Sequence, residues 1–329
     1  MNSPRAALII VVAAVTLATS FIAEAQRPGK VYRVGFLGNS TALLEEHLVG
    51  AFRSGLRDLG YDEGRNVLLE YRWAEGKYER FPALIAELMG LRVDVLVTAG
   101  APATLAVKKA TTSIPLVMVA VADPVGDGIV SSLAHPGGNI TGVSSIALDL
   151  EAKRLELLRE VVPTAASIAV LWNPLNVSHP RALERVQAAA RVLRMKVHLV
   201  RVRVADDIGD AFADIGRQRS DALLVLADRV FLHERARMME LALHQRLPGV
   251  YPYRELVETG GLMSFGPNYV EMHRRAATYV DRILKGAKPG DLPIEQPTTF
   301  ELVINTRTAK ALGLTIPPSV LLRTDQLIQ

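Results

Sequence analysis

The chain has 329 residues, 49% of them apolar, and its 38 Lys and Arg stand against 34 Asp and Glu for a formal charge of +4. That length suffices for two domains with cores of their own, and so small and dispersed a surplus of positive charge argues against a nucleic-acid surface. Cysteine is absent, which excludes disulfides, thiolate metal sites, cysteine nucleophiles and a lipid-modified cysteine anchor.

In chain order, Arg5 precedes the apolar run AALIIVVAAVTLATSFIA, which ends in Ala23-Glu24-Ala25 and Gln26. A basic start, an apolar middle and small residues at −3 and −1 predict a signal peptide over residues 1–25, cut between Ala25 and Gln26. The competing reading is an uncleaved anchor, since the run approaches the roughly 20 residues that span a bilayer.

From Val31 onward, short apolar runs alternate with helical patterns. VYRVGFLG (31–38), NVLLEYRWA (66–74), VDVLV before Thr98, PLVMVAVAD (115–123) and NITGVSS (139–145) read as strands. Between them, Leu43 to Leu59, Tyr78 to Leu91 and Pro102 to Ala110 read as helices. The alternation then resumes with SIAVLWNP (167–174), KVHLVRVRV (196–204), DALLVLAD (221–228), GVYPY (249–253) and GLMSF (261–265) as strands. Helices are expected over Leu150 to Val161, Pro180 to Leu193, Ile208 to Arg217 and Phe231 to Arg246. Strands separated by helices imply mainly parallel sheets with right-handed crossovers. The expected organisation is one lobe over residues 31–148, a second over 149–267, and a return segment, 268–329, completing the first. The result is two Rossmann-like open-sheet α/β lobes joined by a multi-strand hinge.

Open α/β sheets bind ligands beyond the carboxyl ends of their strands. The residues there are polar and hydrogen-bonding: Asn39 and Ser40, the stretch Thr98 to Thr104, Asp123, Asn173, Asp228 with Arg229, and Tyr253 with Arg254. Within TAGAPAT, Pro102 suits the first helical position, and Gly100 and Ala101 keep bulk away. The N–H groups of Ala103 and Thr104, with the hydroxyls of Thr98 and Thr104, would then form a nest for a carboxylate; a capped helix without a ligand fits that stretch equally well. Asp123 is placed to receive an ammonium, or else to cap the turn begun by Pro124. Asp228 carries the same ambiguity on the second lobe. Tyr253 and Trp172 could supply a flat wall, although Trp172 alone fits core packing better.

The histidines lie at 47, 135, 179, 198, 233, 244 and 273, with no metal-binding spacing, and no nucleophile elbow, Walker loop or dinucleotide fingerprint is present. No cofactor or metal is therefore expected. Catalysis by a triad assembled from distant residues stays open as an alternative.

Several long blocks together resemble the ABC-transporter substrate-binding proteins of the tryptophan/tyrosine type. They are GYDEGRNVLLEYRWAEGKYERFPALIAEL, DPVGDGIVSSLAHPGGNITGVS, LEAKRLELLREVVP, ELVETGGLMSFG and TTFELVINTRTAKALGLTIPPSVL, and the likeness runs from about Val31 to Leu322. It implies a type I periplasmic-binding-protein fold that closes on a small carboxylate-bearing, amino-acid-like ligand. It implies as partners a membrane permease and its ATPase, and no nucleic acid. In related amino-acid binders, hydroxyls and amides at a strand–helix turn hold the carboxylate and acidic residues hold the ammonium. Thr98 to Thr104 and Asp123 occupy the matching places, while Asn173, Asp228 and Tyr253 are assigned by position alone. An exported sensor for a membrane receptor, or an enzyme on this scaffold, is the alternative.

Overall fold

The computed structural model describes residues 30–329, so the expected signal peptide lies outside the described residues. The first sheet consists of β1 (Tyr32–Gly38), β2 (Val67–Trp73), β3 (Val95–Ala99), β4 (Leu116–Val121) and β5 (Ile140–Ser144), in the order β2-β1-β3-β4-β5. Every pairing in it is parallel. Its central strand VLVTA is buried at each position, as expected where helices cover both faces and alternation has no solvent side to serve.

The second sheet consists of β6 (Ser167–Trp172), β7 (Lys196–Arg201), β8 (Ala222–Val225), β9 (Gly249–Tyr251), β10 (Met263–Pro267), β11 (Phe300–Asn305) and β12 (Gln326–Ile328). Its order is β12-β11-β10-β9-β8-β6-β7, with β10 and β11 antiparallel. Strand β7 lies at one edge and carries exposed Lys196 and Arg201, charges that discourage another strand from pairing there.

The chain passes from the first lobe to the second at Ser145 and Ile146, slightly before the expected boundary. Ser145 N–H still bonds Val121 O at 2.9 Å, while the Ala147–Val161 helix already packs on the second lobe. Ile146 adopts the left-handed region (φ 44), an unfavourable conformation for a β-branched side chain, at this crossing.

The return segment divides in two, which corrects the expectation that all of 268–329 completes the first lobe. The Tyr269–Leu284 helix does pack against the Glu46–Asp58 helix and the first sheet, and Thr141 Oγ1 donates to Leu292 O at 2.7 Å. The apolar run FELVIN instead crosses again and pairs with β10, whose backbone groups would otherwise form an open edge. Further differences are local. The expected Phe231 to Arg246 helix is two, Arg229–His233 and Arg235–His244, with Glu234 between them, and a short helix Arg254–Glu258 follows β9.

The returning helix approaches closely because Gly55 faces it: a Cβ there would lie 2.6 Å from Arg274 O and 2.9 Å from Ala277 Cβ. Gly55→Ala is therefore expected to destabilise the protein by about 1–3 kcal/mol through overpacking. Urea unfolding measures this, and an unchanged midpoint would show that the helix pair yields freely.

Candidate functional site

Between the lobes lies a cavity of about 30 Å³, at the carboxyl ends of β3, β4, β8 and β9. That is room for a water or two, so an amino acid enters only if the lobes part. Much of the wall is short: Ala101, Ala120, Ala122, Ala147, Ala182 and Ala227 all border the space. At Ala120 the register of β4 against β5 shifts, and Ala120 itself is left-handed (φ 56). Backbone strain of this kind, about 1–3 kcal/mol, concentrates at ligand sites.

The TAGAPAT turn meets the cavity through Gly100, Ala101 and Pro102. Gly100 (φ +79) precedes the Ala101–Ala110 helix, which puts Pro102 second in the helix and not first. The expected nest is smaller than the sequence suggests. Thr98 Oγ1 donates to Leu37 O at 2.8 Å inside the sheet. Thr104 turns back on Gly100 O, with its N–H at 3.2 Å and its hydroxyl at 2.7 Å. Both hydroxyls are thereby spent, and Ala103 is buried in the core. Asn39 and Ser40 stand beside the cavity and not in its wall. Their amides donate to buried Glu45 Oε1 at 3.0 and 2.7 Å, and Asn39 Nδ2 donates to Ala99 O at 3.0 Å.

On the second lobe, Asp228 is buried and heavily engaged. Its Oδ1 accepts from Tyr78 Oη at 2.8 Å, Val230 N at 3.0 Å and Asn173 Nδ2 at 3.2 Å, and its Oδ2 from Asn176 Nδ2 at 2.9 Å. Tyr78 comes from the first lobe, so this carboxylate joins the lobes as well as capping the Arg229–His233 helix. Asn173 supports Asp228 from behind and does not reach the cavity. His179, which does border it, accepts from Asn173 N at Nδ1 (2.8 Å), and this leaves the proton on Nε2, 3.2 Å from Ala227 O. Burial lowers its pKa, and the imidazole stays neutral and fully engaged.

The sequence reading placed Arg229 in a strand-end loop without giving it a role, and it missed Glu151 and Tyr269. Arg229 is only 4% exposed, and its guanidinium carbon sits 5.3 Å from the Tyr253 ring centre and 5.6 Å from that of Tyr269. The two rings pack at 4.8 Å, so the expected wall at Tyr253 is present but faces an arginine. Glu151 also borders the cavity and pairs with buried Arg154 at 2.7 Å, and burial raises its pKa. Position after an apolar strand picked out Arg229 together with Asp228, but nothing local showed that its guanidinium borders the cavity. Glu151 lies inside a helix, where no strand-end rule applies.

Asp123 does not border the cavity, and the ammonium role expected of it does not fit its surroundings. Its carboxylate accepts Gly126 N at 2.8 Å and pairs with Arg181 of the second lobe at 3.1 Å. Arg181 also pairs with buried Asp127, which accepts Ser178 Oγ at 2.6 Å. Two more bridges join the lobes: Ser40 Oγ with His233 Nδ1 at 2.6 Å, and His47 Nε2 with Glu255 Oε1 at 2.7 Å. Trp172 packs beside the second core.

A family model described as ABC transporter substrate binding protein matches residues 42–328. A tyrosine-binding protein of Clostridioides difficile is 26% identical over 264 residues, covering 80% of this chain and 75% of that one. Among solved structures, a conserved domain protein from Vibrio cholerae is 30% identical with a TM-score of 0.85, covering 91% of this chain and 100% of its own. An ABC domain from Streptococcus pneumoniae in complex with L-Trp is 26% identical with a TM-score of 0.84 and the same coverage. The two sheets and their crossings are thus those of the type I periplasmic-binding-protein fold.

Two outcomes follow from the bridges. Tyr78→Phe removes one interlobe hydrogen bond, so it is expected to raise the open population while costing about 0.5–1.5 kcal/mol of stability. Small-angle scattering should then show a larger radius of gyration; an unchanged radius would mean that Tyr78 does not hold the lobes. The second outcome concerns acid. Burial is the largest influence on Glu255 and would raise its pKa, but the His47 hydrogen bond, a backbone N–H and the charges of His47 and Arg229 together outweigh it, and the net shift is downward. A depressed carboxylate pKa contributes stability above the ordinary glutamate range and loses it as pH falls through the lowered value. The His47–Glu255 bridge should hold at neutral pH and release on acidification below that range, and scattering across a pH series would report the release.

Proposed function

The chain belongs to the ABC transporter substrate-binding protein family, and from that membership we propose that it is the exported solute receptor of an importer. In this reading the mature chain binds a small amino-acid-like carboxylate between its lobes, in the periplasm, and presents it to a membrane permease and its ATPase. The observation that carries the reading is the cavity itself, which draws its wall from both lobes and lies where strands of both sheets end. A ligand there gains contacts from both sides only when the lobes close, and this differential contact is what lets binding shift the open–closed equilibrium.

A binding role also suits the polar groups present. His179 has both ring nitrogens committed to backbone partners, and Asp228 is saturated by donors, so neither is free to move a proton to or from a substrate. The relatives point to aromatic amino acids: one is named tyrosine-binding and another is solved with L-Trp. The alanine-lined wall would accept such a side chain once the lobes part, because short residues leave the space to the ligand.

Thermal unfolding of the purified mature protein with each of the common amino acids tests this. Tryptophan, tyrosine or phenylalanine at about 100 times its Kd should add roughly 2.7 kcal/mol of stability. The absence of any shift across amino acids and simple carboxylic acids would overturn the proposal.

A further inference from the structure

Two charged groups that border the same cavity are each left with an unsatisfied atom. Nη2 of Arg229 and Oε2 of Glu151 are buried without a hydrogen-bond partner among the described residues. Arg229 is 4% exposed and Glu151 1% exposed, and both form part of the cavity wall. Stranding a charged donor or acceptor away from water costs more than stranding a neutral one, so a native fold keeps such atoms only where something else meets them. They are of opposite sign. We propose that they recognise the two charges of a free α-amino acid: Arg229 takes the α-carboxylate and Glu151 takes the α-ammonium. The assignment rests on the amino-acid reading above and deepens it, because it requires both charges on one ligand.

The surroundings of each group support its part. The Arg229 side chain passes Gly100 at the start of the Ala101–Ala110 helix, where a Cβ on the glycine would lie 3.8 Å from Arg229 Cγ. The guanidinium and the positive end of that helix therefore converge on one place, and an anion there meets both. Two acidic residues act on Arg229 electrostatically but leave it free to donate. Glu45 accepts the amides of Asn39 and Ser40, and Glu255 accepts from His47. The Tyr253 and Tyr269 rings flank the guanidinium and hold its plane.

On the Ala147–Val161 helix, Glu151 Oε1 is taken by Arg154 Nη1 at 2.7 Å, and Arg154 Nε donates to Phe265 O at 2.7 Å. This arrangement fixes the carboxylate and leaves its second oxygen without a partner. Burial raises the Glu151 pKa, and an ammonium beside Oε2 would favour the charged form again. Ligand binding and ionisation of Glu151 are then linked.

Unmodified protein provides the first test, by calorimetry with matched probes. They are L-phenylalanine, L-tryptophan and L-tyrosine, their deaminated acids (3-phenylpropionate, indole-3-propionate and 3-(4-hydroxyphenyl)propionate) and their decarboxylated amines. Each analogue lacks one charge, so each is expected to bind at least about 30-fold more weakly than its parent, as when one partner of a buried charge pair is removed. Two variants then locate the effect. Glu151→Gln should weaken the amino acid by a similar factor and leave the deaminated acid nearly unchanged. Arg229→Gln should weaken the amino acid and spare the amine. Comparing two ligands on one variant separates recognition from any loss of folded protein. If the deaminated acid binds the unmodified protein as well as the amino acid, or Glu151→Gln weakens both alike, the Glu151 assignment is overturned. The corresponding result with the amine and Arg229→Gln overturns Arg229. If neither the amino acids nor their analogues bind, the amino-acid reading fails and the assignment fails with it.

Discussion

A carboxylate removed from water must be surrounded by donors, and Asp228 meets that requirement with groups from both lobes. Its Oδ1 and Oδ2 gather Tyr78 from the first lobe, Asn173 and Asn176 from the loop after β6, and the amide of Val230 from its own helix. If Tyr78 is withdrawn, one lone pair loses its partner or finds water. The solvation of this one side chain is therefore tied to the distance between the lobes. The arrangement of the cavity depends on that tie, because Arg229 follows Asp228 directly and its helix is capped by the Asp228 carboxylate.

The other interlobe contacts differ in burial. Arg181, 36% exposed, meets Asp123 at the rim, and such an exposed pair contributes little once solvent screens it. Its contact with Asp127 differs, since that carboxylate is fully buried; burial raises its pKa, while Ser178 and Arg181 oppose the rise. The lobes are thus held by deep bonds at Asp228 and Asp127 and by the more exposed Asp123–Arg181 pair at the rim.

How much of this the sequence disclosed depended on the distance between partners in the chain. The βα alternation was legible because it is local: VLVTA and SIAVLW are apolar runs of strand length, each followed by a helical pattern. Strand ends drew attention to Gly100, Asp228 and Tyr253, which border the cavity. The same rule failed for Asp123, because whether a carboxylate faces a ligand or an arginine is decided by Arg181, which lies far along the chain. It failed for Thr98 and Thr104, whose hydroxyls bond to Leu37 O and Gly100 O. Glu151 was hidden in an ordinary amphipathic helix, where an acidic residue reads as solvated surface. The destination of FELVIN was also unreadable, since an apolar strand pairs equally well with any open edge until the order of the others is known.

The chain crosses between the lobes at Ser145-Ile146, again before the Tyr269–Leu284 helix, and a third time before Phe300. A single tether would let one lobe swivel in any direction, and a pair would define one axis of rotation. A third tether running beside them restricts twisting about the long direction and leaves bending as the soft motion. The two halves of the cavity are then brought together along nearly the same path at each closure, so that Tyr78 meets Asp228 again without a search over orientations. The same linkage means that a single break in the backbone at any one crossing would leave the lobes attached through the other two.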